Sequence, residues 1–212
     1  MAYGFLNIAA TPSVKAAQAD NGSLDVWSRP REDRAFDRFT GDEAAFIASR
    51  DSFYMATASE TGWPYVQHRG GPKGFLKVLD DKTLGFADFR GNRQYISLGN
   101  LNADNRACLF LMDYARRARL KIFARVEVKD LTSDPDLVAR LVVPGYKAKV
   151  ERGMLFHLEA FDWNCSQHIT PRLTEAEIGQ AVAPVRARLT ELEVENAALR
   201  AQLAALENDD GS

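Results

Sequence analysis

The sequence predicts a mainly β protein, an antiparallel barrel or sandwich with flanking helices, extended by a C-terminal coiled-coil helix. Three observations predict it. Many short apolar segments separated by Gly, Asp and Pro fill residues 53–162, capping boxes precede two helical stretches, and a leucine seam of seven-residue period closes the chain. At 212 residues, 46% hydrophobic and 26% charged, the chain suits one compact domain plus an appendage, with a core that needs no disulfide or structural metal.

Residues 1–39 are rich in Ala, Asp and Arg, with Pro12 and Pro30 as breakers. They read as an irregular, extended arm lying on the body or on a partner subunit. Thr40-Gly-Asp-Glu43 is a capping box, in which the Thr40 hydroxyl caps a free amide and Glu43 reaches back, so a short helix follows through 44–48. Strands are expected at 53–58, 65–68, 74–79, 83–88, 107–112, 120–128 and 154–160, with turns at Gly62-Trp-Pro64 and Asp80-Asp81. The stretch 121–128 alternates polar and apolar, as a strand with one wet face does. Helices are expected at 93–101 and 135–142. The barrel domain is therefore set at 40–173 and the final helix at 174–208.

That final helix starts at a second capping box, Thr174-Glu-Ala-Glu177. Val185, Leu189, Leu192, Asn196, Leu199, Leu203 and Leu206 follow in steps of four and three. Leu189, Asn196 and Leu203 take heptad position a, and Leu192, Leu199 and Leu206 take d. One Asn at a with Leu at d favours a parallel two-stranded coil, because paired Asn side chains satisfy each other only in that register. The competing reading is a helix laid on the barrel by one apolar stripe, which the strict spacing and Ala-rich neighbours suit less well. Arg186, Arg188 and Arg200 do not form a basic region ahead of the seam, so a DNA-binding zipper is excluded.

The net charge of −2 and pI near 6.0 argue against a nucleic-acid partner. No apolar run is long enough to span a bilayer, the N-terminus lacks a signal-peptide pattern, and the two cysteines sit in dissimilar settings. Cys108 lies in an apolar run and reads as core; Cys165 lies in a polar loop. The expectation is a cytoplasmic protein without membrane contact. Cys165 with His168 is half a zinc site at most, and His68 and His157 are not spaced to complete it, so no metal is expected.

Residues 67–94 carry the chemistry. Gln67-His-Arg-Gly-Gly-Pro-Lys-Gly-Phe-Leu-Lys77 is basic and glycine-rich, and Asp88-Phe-Arg-Gly-Asn-Arg-Gln94 is a second Arg-bearing loop ahead of a helix. A phosphate needs guanidinium or ammonium groups and free backbone amides, and a helix N-terminus supplies the latter. Arg93 and Gln94 are expected to open that helix facing such a phosphate, with Lys77 approaching from the adjacent strand. Neither a P-loop nor a G-x-G-x-x-G fingerprint is present. A surface turn is the plain alternative for such a loop. A second polar cluster, Asp162-Trp-Asn-Cys-Ser-Gln-His-Ile-Thr-Pro-Arg172, follows the last expected strand.

Gly74-Phe-Leu-Lys77-Val-Leu-Asp80, Gly85-Phe-Ala-Asp-Phe89 and Gly91-Asn-Arg93-Gln94 together resemble the signature of the pyridoxamine 5′-phosphate oxidase-related FMN-binding split-barrel family. Asn102-Ala-Asp-Asn105 resembles that family's Asn-Pro turn without its proline, and the resemblance spans about residues 40–172. It implies an antiparallel split β-barrel that works as a homodimer and holds FMN. It implies that Lys77, with Gly74 and Phe75 beside it, helps hold the flavin. Asn92, Arg93 and Gln94 would take the phosphate, and the backbone of Ala87 and Asp88 would lie along the isoalloxazine. Gln94 stands where the family often has Lys, and Arg69 or Lys73 is the candidate replacement for that charge. Trp163 and Arg172 correspond to a late Trp and Arg donated across the family's dimer interface, and Gln167 and His168 would meet a flavin edge or a substrate.

The family's C-terminal Arg-x-His substrate motif has no match, so the resemblance implies an FMN-dependent oxidoreductase acting on an unidentified small molecule rather than on pyridoxamine phosphate. NAD(P)H or oxygen would be the other redox partner, and the tail would add a possible higher oligomer to the homodimer. The alternatives are a non-catalytic flavin carrier or sensor, an assembly protein whose barrel has lost its ligand, and a haem or deazaflavin in place of FMN.

Overall fold

A computed structural model describes residues 4–28, 37–163 and 166–209. It forms two compact units, one ending at Ile169 and the other beginning at Thr170.

The N-terminal segment is helical rather than extended: α1 is Gly4–Ala9, α2 Pro12–Asp20 and α3 Leu24–Ser28. Pro12 starts a helix instead of breaking one. It occupies the first turn, where no backbone N–H is needed, and the Thr11 hydroxyl accepts from the Val14 amide just inside it. Pro30 lies outside the described residues. Phe5 of α1 is buried and stacks on Phe123, ring centroids 4.5 Å apart, so α1 packs on the sheet.

The Thr40 capping box forms and opens α4, Gly41–Ala48. The Glu43 carboxylate accepts from the Thr40 amide at 3.0 Å and its hydroxyl at 2.7 Å. Glu43 is 1% exposed, and its other oxygen accepts from the Trp163 indole at 2.7 Å.

Among the described residues seven strands make one antiparallel sheet: β1 Ser52–Ala58, β2 Pro64–Gly70, β3 Lys77–Val78, β4 Thr83–Phe89, β5 Arg106–Asp113, β6 Ala118–Lys129 and β7 Val150–Trp163. Helices α5 Ile96–Ala103 and α6 Pro135–Leu141 are inserted between strands. The order across the sheet is β2-β1-β5-β6-β7-β4-β3. Although β1 and β4 are well separated in that order, the Phe53 and Phe86 rings meet at 5.5 Å. The sheet therefore curls until its two ends share a core with Phe75 and Phe156, leaving β2 and β3 as unpaired edges on either side of a split.

The strand expected at 74–79 shrinks to Lys77–Val78. Gly74 has φ +74° and its amide donates to the Arg50 carbonyl at 2.8 Å, which makes it a turn. A Cβ there would lie 3.0 Å from the Ala48 carbonyl oxygen. Gly74→Ala is expected to cost about 1–2 kcal/mol in urea denaturation, from left-handed strain plus that contact. Cys108 is half-buried, not core: it points to the opposite face of β5 from buried Leu109 and Leu111. Burial still pushes its thiol pKa up. Cys165 lies outside the described residues.

In the second unit α7 runs Glu175–Asp209, and its capping box forms, Glu177 accepting from the Thr174 amide at 2.8 Å and hydroxyl at 2.9 Å.

Candidate functional site

The split places a polar groove between β2, the end of β4, the turn into α5 and the start of β7. Arg69 projects from β2 and Asp88 from β4, strands near opposite ends of the sheet, yet Arg69 Nη1 and Asp88 Oδ1 are 2.8 Å apart. Arg152 of β7 stands on the other side of the carboxylate, Nε to Oδ2 3.6 Å. Asp88 is thus a bridge across the split. Burial pushes its pKa up, while Arg69 and Arg152 hold it down. Arg69 Nε is buried with no hydrogen-bond partner, an orphan donor of the sort that a bound polar group would satisfy.

The groove's mouth is the turn after β4. Arg93 has φ +64° and Tyr95 φ +53°, both left-handed, and the helix begins only at Ile96. The expectation that Arg93 and Gln94 open that helix is corrected here: two left-handed residues break the helical run before it starts. Asn92 Oδ1 accepts from the Gln94 amide at 3.2 Å, which tightens the turn. Arg93 Nε donates to the Tyr95 hydroxyl at 3.4 Å, and this bond raises the already high Arg93 pKa. No carboxylate comes within ion-pair distance of Arg93 among the described residues.

Tyr95 ties the turn to β7. Its hydroxyl donates to Glu151 Oε1 at 3.1 Å, and the Arg152 guanidinium lies 5.0 Å from its ring centre. Glu151 also meets Arg152 at 2.7 Å and Arg90 at 3.6 Å. Ser97 donates to Gln67 Oε1 at 2.8 Å, and Asn100 to Thr57 at 3.0 Å, which pins α5 to β2 and β1. Four guanidinium groups, on Arg69, Arg90, Arg93 and Arg152, face two carboxylates, on Asp88 and Glu151. The residual positive charge beside a turn suits an anionic group such as a phosphate.

Of the residues singled out from sequence, Arg69, Asp88, Asn92 and Arg93 line this groove, together with Gln67, Tyr95, Leu98 and Glu151. Gln94 is exposed in the same turn. Lys77 is half-buried on β3 opposite Gly85, and Lys73 is exposed in the preceding turn. Phe75 is core, 5.7 Å from Phe53, and Ala87 is fully buried in the cluster with Leu137, Leu141 and Leu155.

Trp163 stands at the opposite end of β7 from Arg152, its indole on Glu43 and its ring edge-on to Phe46 at 4.8 Å. Gln167 and His168 are exposed beyond β7, His168 with φ +61°, and neither lines the groove. Arg172 belongs to the second unit. Tyr95, Glu151 and Arg152 were missed by the sequence reasoning, because Tyr95 fell inside an expected helix and the acidic-basic pair lay just ahead of the expected last strand. An extension of that strand back to Val150 is the signal that would have found the pair. Among the described residues no group of His, Cys, Asp or Glu could hold a metal, and no helix is long and apolar enough to cross a membrane.

Comparison with known proteins bears on this architecture. The sequence profile of the pyridoxamine 5′-phosphate oxidase family matches residues 39–159, more than half of the chain. The fold is thus a split barrel of the type that family defines. The chain belongs to the pyridoxamine 5′-phosphate oxidase family.

Similar solved structures include a protein of the pyridoxinephosphate oxidase family related to general stress protein 26, from Clostridium acetobutylicum. It is 16% identical, with TM-score 0.43 over 61% of this chain and 88% of the other. An FMN-binding protein from Syntrophomonas wolfei is 15% identical, with TM-score 0.43 over 71% and 97%. An F420 reductase is 19% identical, with TM-score 0.39 over 55% and 93%. A search of curated proteins finds no match to this chain.

Proposed function

We propose that this chain binds FMN in the groove at the split and serves as an FMN-dependent oxidoreductase on a small molecule, with NAD(P)H or oxygen as the second redox partner. The observation that carries the reading is the Arg93 turn: a guanidinium without a carboxylate partner among the described residues, beside the orphan donor of Arg69. These fit a phosphate-bearing cofactor. Arg93 and the turn around Asn92 and Gln94 would hold the phosphate, while Arg69 keeps Asp88 in place behind it.

Bound FMN would supply hydride or electron transfer, and the protein supplies position and electrostatics. A net positive groove favours an anionic cofactor and also its reduced, anionic form. Asp88, bridged by two arginines, fixes the end of β4, where the backbone of Ala87 and Asp88 would run beside the ring.

The homodimer implied by the family resemblance has a suitable surface. On the outer face of the sheet Tyr54 pairs with Phe110 and His68, and Ala56 with Cys108 and Val66; Tyr54 and Val66 are exposed.

The test is an absorbance spectrum of the purified protein, with acid release and identification of the chromophore. Released FMN that NAD(P)H reduces and an acceptor reoxidises supports the enzyme. FMN that is held but never reduced leaves a carrier or sensor. A colourless protein that takes up no added FMN removes the reading.

Trp163 separates a structural from a flavin-contacting role. Trp163→Phe is expected to lower stability by about 1–2 kcal/mol, through loss of the indole hydrogen bond to buried Glu43, and to leave FMN affinity unchanged. Titration with FMN beside urea denaturation reads both; weakened FMN binding would return Trp163 to the site.

A further inference from the structure

Helix α7, Glu175–Asp209, carries a row of large apolar side chains that its own unit does not cover. Val185, Leu189, Leu192, Leu199 and Leu203 are between 45% and 69% exposed. A contiguous apolar stripe of this kind marks an interaction face. Pro184 immediately precedes it, so the seam lies in the part of the helix whose hydrogen bonding proline does not interrupt.

We infer that this face docks against the same face of a second copy as a parallel, in-register two-stranded coil over residues 185–203. The flanking charges carry the orientation together with the centre of the seam. Arg186, Glu193 and Arg200 fall at heptad position e, and Arg188, Glu195 and Gln202 at g. In a parallel, in-register pair each g residue meets the following e residue of the other copy. Arg188 then meets Glu193, Glu195 meets Arg200, and symmetry repeats both pairs, so all the contacts between charged residues are attractive.

Asn196 faces Asn196 at the centre, where the two amides hydrogen-bond each other. An antiparallel pair would set Asn196 against Leu199 and leave its amide unpaired among leucines. In the single chain Arg188 donates to Glu191 at 2.9 Å, but both side chains are more than 60% exposed, and exchanging such a surface pair costs little.

The inference rests on α7 alone, and flavin content does not enter its test. The full-length chain is used with Cys108→Ser and Cys165→Ser, so that one added cysteine reports. Leu199→Cys is expected to give a disulfide-linked dimer on mild oxidation, while Val194→Cys, on the outer face of the coil, is expected to give little. Equal linkage of the two, as tails merely tethered by a barrel dimer would give, overturns the inference; so does no linkage at 199.

Orientation is read by adding E193R with R200E to the Leu199→Cys chain. The exchange leaves the helix composition unchanged. It sets like charges together in the parallel register but preserves the Glu193–Arg200 contact of an antiparallel pair. Dimer affinity is expected to fall by roughly tenfold and to recover when R188E and E195R are added. Dimer affinity that is unchanged by the first exchange overturns the parallel register.

Discussion

Arg69→Ala is expected to destabilise the barrel by about 3 kcal/mol, the cost typical of removing one partner from a buried ion pair. The Asp88 carboxylate would keep only the longer contact to Arg152, and the two sides of the split would lose the bridge between β2 and β4. Urea denaturation of the variant beside the wild type measures the loss. A change below about 1 kcal/mol would show that the bridge is incidental to the closed sheet.

The pH dependence supplies an independent sign. The folded-state pKa of Asp88 is raised above its ordinary 3.8, chiefly by burial, so the folded protein takes up this proton more readily than the unfolded chain does. The contribution of that group to stability is therefore fully present below the unfolded pKa and is lost as pH rises through the folded one. Relative to Asp88→Asn, the wild type should gain stability as pH falls from neutral towards 4, and the opposite slope would show that the arginines outweigh burial.

Arg93→Ala is expected to weaken FMN binding roughly tenfold or more while leaving the unliganded barrel as stable as before, because the side chain is exposed and its one hydrogen bond among the described residues is to the Tyr95 hydroxyl. Arg93→Gly is the companion variant. It accepts the left-handed φ of +64° without strain and also lacks the guanidinium, so equal loss of affinity in both variants assigns the effect to charge rather than to the turn. Fluorescence titration with FMN measures it, and undiminished affinity in both removes Arg93 from the phosphate site.

Local patterns in this chain translated into structure where a local rule governs. Thr40 with Glu43 and Thr174 with Glu177 formed their capping boxes, the alternation along β6 buried one face, and Asp80-Asp81 made its turn. Where competing local signals met, they misled. Pro12 reads locally as a breaker, yet Thr11 before it makes it a helix start, and Gly74 heads an apolar run that reads as a strand, yet its positive φ makes a turn. Arg93 falls in a stretch that reads as helix, but two left-handed residues delay that helix to Ile96.

The sequence by itself determined the mainly β fold, the family resemblance, the basic segment 67–94 and the heptad seam, because each is written in periodicity or in residues adjacent along the chain. Only the tertiary structure decided that Arg69 and Arg152 flank the same buried carboxylate, that Tyr95 links the Arg93 turn to Glu151, and that Trp163 serves Glu43. Those partners lie on strands that meet because the sheet curls, and the curl is set by the packing of Phe53, Phe75, Phe86 and Phe156 together, which no single segment encodes.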